Sequence, residues 1–205
     1  SLGPPPRGRG AGDGGDILMK IATGIVIGLC LFISVPITHA QLCGVRRVDF
    51  RNFSFPATDH EELPMESFTL KNGFFRRSRL NSSELQSIYY GGLTDVDEEV
   101  ALVAVTHHDG NATYRTLYVY QVAKRRLKLL QSFIFGDGLN THLSSAFTAH
   151  GELVIVASLQ KAADAECCPS VIEISHYRWE KDRFVVQGTP REVPNGYVER
   201  IKPRL

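Results

Sequence analysis

The sequence predicts an all-β domain, an antiparallel meander of about nine or ten strands folded as a sandwich or a curled sheet, behind an N-terminal signal segment. Three observations carry this. Apolar runs, alternating or continuous, recur after residue 40, as in Val100–Val105 and Tyr114–Val122. Short turn signals such as Asn72-Gly73, Asp109-Gly110 and His150-Gly151 separate them. No segment there sustains the period near 3.6 residues that marks an amphipathic helix. Evenly spaced short strands are the pattern of a meander rather than of βαβ units. Tandem hairpins also raise a propeller, but nothing repeats at the ~40–50 residues a propeller blade needs.

The N-terminus precedes the domain. Residues 1–16 are rich in Gly, Pro and Arg and cannot build a core. Residues 1–18 read as disordered or as upstream read-through, because Met19-Lys20 stands directly before an apolar run and is the expected translation start. That run, Ile21 to Ile37, ends in Pro36 and is followed by Thr38-His39-Ala40. A basic start, a hydrophobic stretch, a helix breaker and small residues at −1 and −3 make residues 19–40 a secretory signal peptide, cut after Ala40. The rival reading is an uncleaved anchor, since a run of this length is at the lower limit for a ~30 Å hydrocarbon core. Leu29 precedes Cys30 and Leu42 precedes Cys43, so neither cysteine has the small neighbour that lipidation requires.

Residues 41–190 form the expected domain. Val48–Phe55 alternates as a strand and is closed by Pro56; residues 57–64 are a polar loop. Phe68–Leu70 runs into Asn72-Gly73, a dipeptide suited to a two-residue hairpin because both positions tolerate positive φ. Leu80–Glu84 reads as loop and Leu85–Tyr90 as strand, with a short helix over 80–88 the competing reading. Val100–Val105 is too short for a helix and rich in β-branched residues, which predicts a central strand buried on both faces. Tyr114–Val122 and Leu127–Phe135 flank the turn at Lys124–Arg126, and Gly136-Asp137-Gly138 breaks the chain. Ser145–Ala149 and Glu152–Leu159 form the next hairpin, and Val171–Trp179 and Arg183–Gln187 the last. Residues 191–205, after Pro190, read as a loose tail.

Composition narrows the function classes. Of 205 residues, 22% are charged and 43% hydrophobic, which is globular usage. The net charge is +1, and residues 41–205 carry 20 basic and 20 acidic side chains. A neutral domain lacks the basic excess of a nucleic-acid binder. Three cysteines follow residue 40: Cys43, Cys167 and Cys168. In an oxidising compartment they are expected to be structural. Cys43 bridged to one of the adjacent pair is the leading arrangement, and would close a loop worth up to ~4–5 kcal/mol of chain entropy. A vicinal Cys167–Cys168 bridge and a reduced pair are the alternatives.

Four constellations bear on chemistry. Tyr90-Gly-Gly-Leu-Thr-Asp-Val-Asp-Glu-Glu precedes the buried run, and Asp95, Asp97 and Glu99 alternate as oxygen ligands for calcium would. The competing reading is a solvated acidic turn. His107-His108-Asp109 has metal-ligand residue types, but adjacent histidines on a strand point to opposite faces. Ser144-Ser145, His142 and Asp137 have triad residue types without a nucleophile elbow, so no catalytic residue is assigned. Tyr114, Tyr118 and Tyr120 share one parity and line one strand face, which would suit sugar or peptide binding if open to solvent. The sequons at Asn52, Asn81 and Asn111 matter only in a eukaryotic secretory pathway.

The acidic segment resembles the loop-then-strand unit of FG-GAP and integrin-type repeats. It departs from them in lacking the glycine that lets the loop wrap the ion, and in having Gly92 where an acidic residue is expected. That loop, the Tyr-Val-Tyr strand, Cys167-Cys168-Pro169-Ser170 and Tyr177-Arg178-Trp179 together resemble a group of exported bacterial β-rich proteins, over roughly residues 48–190. The resemblance implies export, to the periplasm or beyond, and no particular activity. The leading expectation is therefore a non-enzymatic exported binding or envelope-associated module with a carbohydrate, protein or envelope partner. An exported hydrolase with a site assembled from scattered residues, and a calcium-stabilised adhesion module, are the rivals.

Overall fold

Tyr114–Val122 and Val100–Val105 are the stretches richest in β-branched and aromatic residues, and they form the centre of the fold. In the computed structural model, residues 44–58, 66–136, 140–165 and 168–196 are described. All belong to one unit, His39–Leu205. The strands are β1 (Ser54–Phe55), β2 (Phe68–Thr69), β3 (Phe74–Arg76), β4 (Asn81–Leu93), β5 (Val96–Asp109), β6 (Ala112–Ala123), β7 (Arg126–Gly136), β8 (Thr141–Ala149), β9 (Glu152–Leu159), β10 (Val171–Glu180), β11 (Arg183–Val186) and β12 (Arg191–Pro194). The architecture is all-β and antiparallel. One sheet runs β3 to β11 in chain order, β12 joins it beside β10, and β1 and β2 pair separately. It is not closed into a barrel.

Two-residue turns set the register. Asn72-Gly73, Lys124-Arg125, His150-Gly151 and Lys181-Asp182 all have positive φ at both positions, the geometry whose twist matches that of paired strands. Three of these turns join paired strands of the sheet, and Asn72-Gly73 closes on the single bridge Lys71–Phe74. The meander then bends sharply. β7 and β8 share a single pair, Gly136 with Thr141. Gly136 has φ 150°, and a Cβ there would lie 2.5 Å from Tyr114 Cα. Only glycine lets β7 pass so close to β6. Beyond this corner β8 packs against β6 and β4, strands to which it is not paired. Leu143 of β8 accepts a hydrogen bond from Arg115 of β6. Thr148 sits against Gly91 of β4, where any Cβ would overlap its hydroxyl. Thr94 N–H at the β4–β5 tip donates to Gly151 O at the β8–β9 tip (2.8 Å).

Parity then assigns the cores. Val100, Leu102 and Ala104 of β5 and Leu117 and Val119 of β6 pack against Leu143, Leu153, Ile155 and Phe184 of the second half. The opposite face, Ala101, Val103, Val105, Tyr118, Tyr120 and Val122, is covered by Val45, Phe50, Phe55, Phe68 and Leu70. All six residues Val100–Val105 are buried, as expected of a strand covered on both sides.

Three sequence expectations fail here. Val48–Phe55 is not a strand: it forms two 3₁₀ turns, Val45–Arg47 and Phe50–Asn52, before the two-residue β1. Asp49 accepts from Arg51 N and Asn52 Nδ2, and such local bonds compete with a ladder. Residues 81–84 are not loop but the start of β4, and no helix forms over 80–88. Residues 191–194 are not loose. They form β12, which lies on the same edge of β10 as β11, while Asn195 Nδ2 bonds Pro169 O at 2.7 Å.

Candidate functional site

The register of β4 against β5 places Ser83 directly opposite His107. Both side chains lie on the face that carries Val103 and Val105, so both are buried, Ser83 at 7% and His107 at 2% exposure. Ser83 Oγ and His107 Nδ1 are 2.8 Å apart. The imidazole stacks on Tyr114 (centroids 5.2 Å) and meets Phe68 edge to face (5.2 Å). His107 Nε2 has no hydrogen-bond partner among the described residues. A buried unpaired nitrogen of this kind costs about 1–3 kcal/mol. Burial, aided by the neighbouring His108, pushes the His107 pKa down to about 3. The ring is therefore neutral across the physiological range.

This pair lies at a cleft of about 470 Å³, within the size range of small-molecule sites. Phe68, Phe75 and Tyr114 supply apolar surface; Asn81, His108, Asp109, Glu66 and Arg77 supply polar groups. Asn81 Nδ2 donates to Asp109 Oδ1 at 2.7 Å, and Arg77 pairs with Glu66 at 2.7 Å. Arg77 thus offsets Glu66, while Asp109 keeps its charge and is held by a neutral amide. Burial and the Asp109 carboxylate raise the Tyr114 phenol above its usual pKa.

As chemistry, the serine–histidine pair is a poor catalyst. A general base works best with a pKa near the operating pH, and His107 is far below it. A triad also needs a group that orients the base, and His107 Nε2 has none among the described residues.

The residues singled out from sequence fall in different places. The three tyrosines do line one face, but that face is not open: Tyr118 is 0% and Tyr120 3% exposed. Phe50, Phe53, Phe55 and Phe68 cover them, with Phe55 and Tyr118 centroids 4.9 Å apart. Only Tyr114 reaches the cleft. Asp95 lies in the turn between β4 and β5, and Asp97 and Glu99 lie on β5. Glu99 takes Arg46 Nε and Nη2 through both oxygens at 2.7 Å, so a cation there would compete with a guanidinium. Among the described residues no group of three His, Cys, Asp or Glu is arranged to hold a metal; the side chain of Asp97 lies outside them. His107 is buried and His108 is exposed, as the alternation requires. Ser144 pairs with Ser158 Oγ at 3.1 Å, and Asp137 lies outside the described residues. Cys168 is not a free thiol; Cys43 and Cys167 lie outside the described residues, as does the whole of 1–40.

Sequence reasoning missed Ser83, and weighed His107 as a metal ligand. The signal for His107 was present: it continues the parity of Ala101, Val103 and Val105. Ser83 had no such signal, because only the register brings it opposite. No protein family, curated protein or solved structure matches this chain, and the site is therefore defined by its own geometry.

Proposed function

We propose that the domain is an exported, non-enzymatic binding module whose ligand site is the His107 cleft, and that the ligand is a neutral polyhydroxylated group, as in a sugar. The observation that carries this is the combination at one cleft: the aromatic side chains of Phe68, Phe75 and Tyr114 together with the hydrogen-bonded polar pair of Asn81 and Asp109. Aromatic faces accept the C–H surface of a sugar ring, and paired amide and carboxylate oxygens suit vicinal hydroxyls. The Asp109 carboxylate disfavours an anionic ligand.

The test is titration of the purified domain with a panel of mono- and disaccharides, followed by NMR. The expected outcome is shifts confined to the cleft, weakened at least tenfold by Tyr114→Ala and by Asp109→Ala. Retained affinity in folded Tyr114→Ala protein would refute the proposal. A hydrolase is the second reading, favoured only by the Ser83–His107 contact. It requires Ser83→Ala to abolish an ester or glycoside hydrolysis that the wild type performs. For the setting, mass spectrometry of the protein recovered outside the cell should find Gln41 as the first residue. Cys168, already engaged, is proposed to pair with Cys43, and the same spectra under non-reducing conditions distinguish that bridge from a Cys167–Cys168 one.

A further inference from the structure

On the opposite face of the β4–β6 layer, between it and β8, lies a second cavity of about 210 Å³. Among the described residues Arg115 is the only charged one in its lining, with Leu102, Ala104 and Leu117 on one side and Leu143, Ser145 and Ala146 on the other. Arg115 shares its face with Leu117 and Val119, so a cation stands where the pattern calls for an apolar residue. It is anchored from the buried end: Nε donates to Thr106 Oγ1 at 3.2 Å and Nη1 to Leu143 O at 2.6 Å. Thr106 and Leu143 are each 4% exposed. Both acceptors are neutral and take two of the five guanidinium donors. No carboxylate among the described residues forms an ion pair with it.

Two β-bulges meet at the same place. The ladder slips between Leu85 and Ser87 in β4, making Gln86 the extra residue, and between Leu143 and Ser145 in β8, making Ser144 the extra residue. Gln86, Ser87, Ser144 and Ser145 all line the cavity. Bulges re-aim side chains and are enriched next to sites. Here two independent irregularities, on strands from different halves of the sheet, border the same cavity as one part-buried cation.

We propose that this cavity is an anion site, holding a small oxyanion, a carboxylate or phosphate group, on the Arg115 guanidinium with the Ser87 and Ser145 hydroxyls as further donors. The planar fork of arginine matches such oxygens in a bidentate way that an ammonium cannot. The volume suits one such group and not an extended ligand. The site lies on the far face of the sheet from the His107 cleft, so it stands or fails independently of the sugar reading.

The experiment is thermal unfolding with added inorganic phosphate or succinate, against sodium chloride at matched ionic strength. Phosphate or succinate should raise Tm by roughly 5–10 °C at a hundredfold excess over Kd, and chloride should not. A response to phosphate alone assigns phosphorylated ligands; a response to succinate alone assigns carboxylates. Arg115→Gln should abolish the response and Arg115→Lys should weaken the anion at least tenfold. Because Arg115 also ties β6 to β8, Ser87→Leu provides a variant that narrows the mouth and leaves the guanidinium in place; it too should abolish the response. Equal Tm in all three salts, or an undiminished response in folded Arg115→Gln or Ser87→Leu protein, would overturn the proposal.

Discussion

His107 is the residue whose environment departs furthest from its chemistry in water. Its pKa is held near 3 in the fold, against about 6.5 in the unfolded chain. The unfolded state therefore binds the proton between those values, and stability rises with pH across that window. The contribution is complete above about pH 6.5 and is lost progressively as pH falls toward 3. Going from about pH 7.5 to about pH 5 should remove about 2 kcal/mol, measured by urea denaturation, before most carboxylates titrate. His107→Gln should flatten that part of the profile, and an unchanged slope would refute the burial argument. The same residue shows what the sequence could and could not reveal. Its side of the strand follows from simple alternation with Val103 and Val105. Its bond to Ser83 does not, because that depends on which residue of β4 faces it, and register is set by turns and bulges a string of letters does not display. Arg115 is hidden for a related reason. Its surroundings are built by β8, which arrives from across the sheet.

At the scale of elements, turn chemistry was the legible part and partner-dependent structure the illegible part. Asn72-Gly73 and His150-Gly151 announce their hairpins. β12 carries no strand signal of its own, since Arg191–Pro194 is extended only because β10 offers a free edge. The N-terminal segment was misread in the other direction: its alternation is real, yet it serves to aim Phe50, Phe53 and Phe55 at the tyrosine face while Asp49 and Asn52 curl the backbone. Phe55 is wholly buried although its strand has two residues. Phe55→Ala should cost about 3–5 kcal/mol, as large core truncations do, read from the shift in urea midpoint. The β6–β7 turn offers the opposite case. Lys124 and Arg125 occupy left-handed φ of 50° and 63°, a conformation that costs an L-residue roughly 1–2 kcal/mol. Arg125→Gly should therefore stabilise the protein by about 0.5–1 kcal/mol, net of the larger entropy that glycine loses on folding. A lower melting temperature in that variant would contradict the turn geometry.

At the scale of the whole molecule, the two halves of the sheet are joined by little backbone bonding and much shared core. One pair connects β7 to β8, yet residues of β5, β6, β8, β9 and β11 form a single apolar cluster. The halves should therefore unfold together. Trp179 is the only tryptophan and packs on Phe184 at 4.9 Å in the second half. Its fluorescence should trace the same urea transition as far-UV circular dichroism, which reports all strands. Gly136→Ala should lower that shared midpoint by about 1–3 kcal/mol through the clash at Tyr114. Two separated transitions would mean that the shared core does not couple the halves. The cover over Tyr118 and Tyr120 has one further consequence, which concerns time. Phe50, Phe53 and Phe55 are synthesised some sixty residues before the tyrosines they bury. At roughly 5–20 residues per second, the nascent chain carries an unpartnered aromatic run for several seconds before its acceptor surface exists, so its risk of aggregation is greatest during synthesis and passes once β6 has emerged.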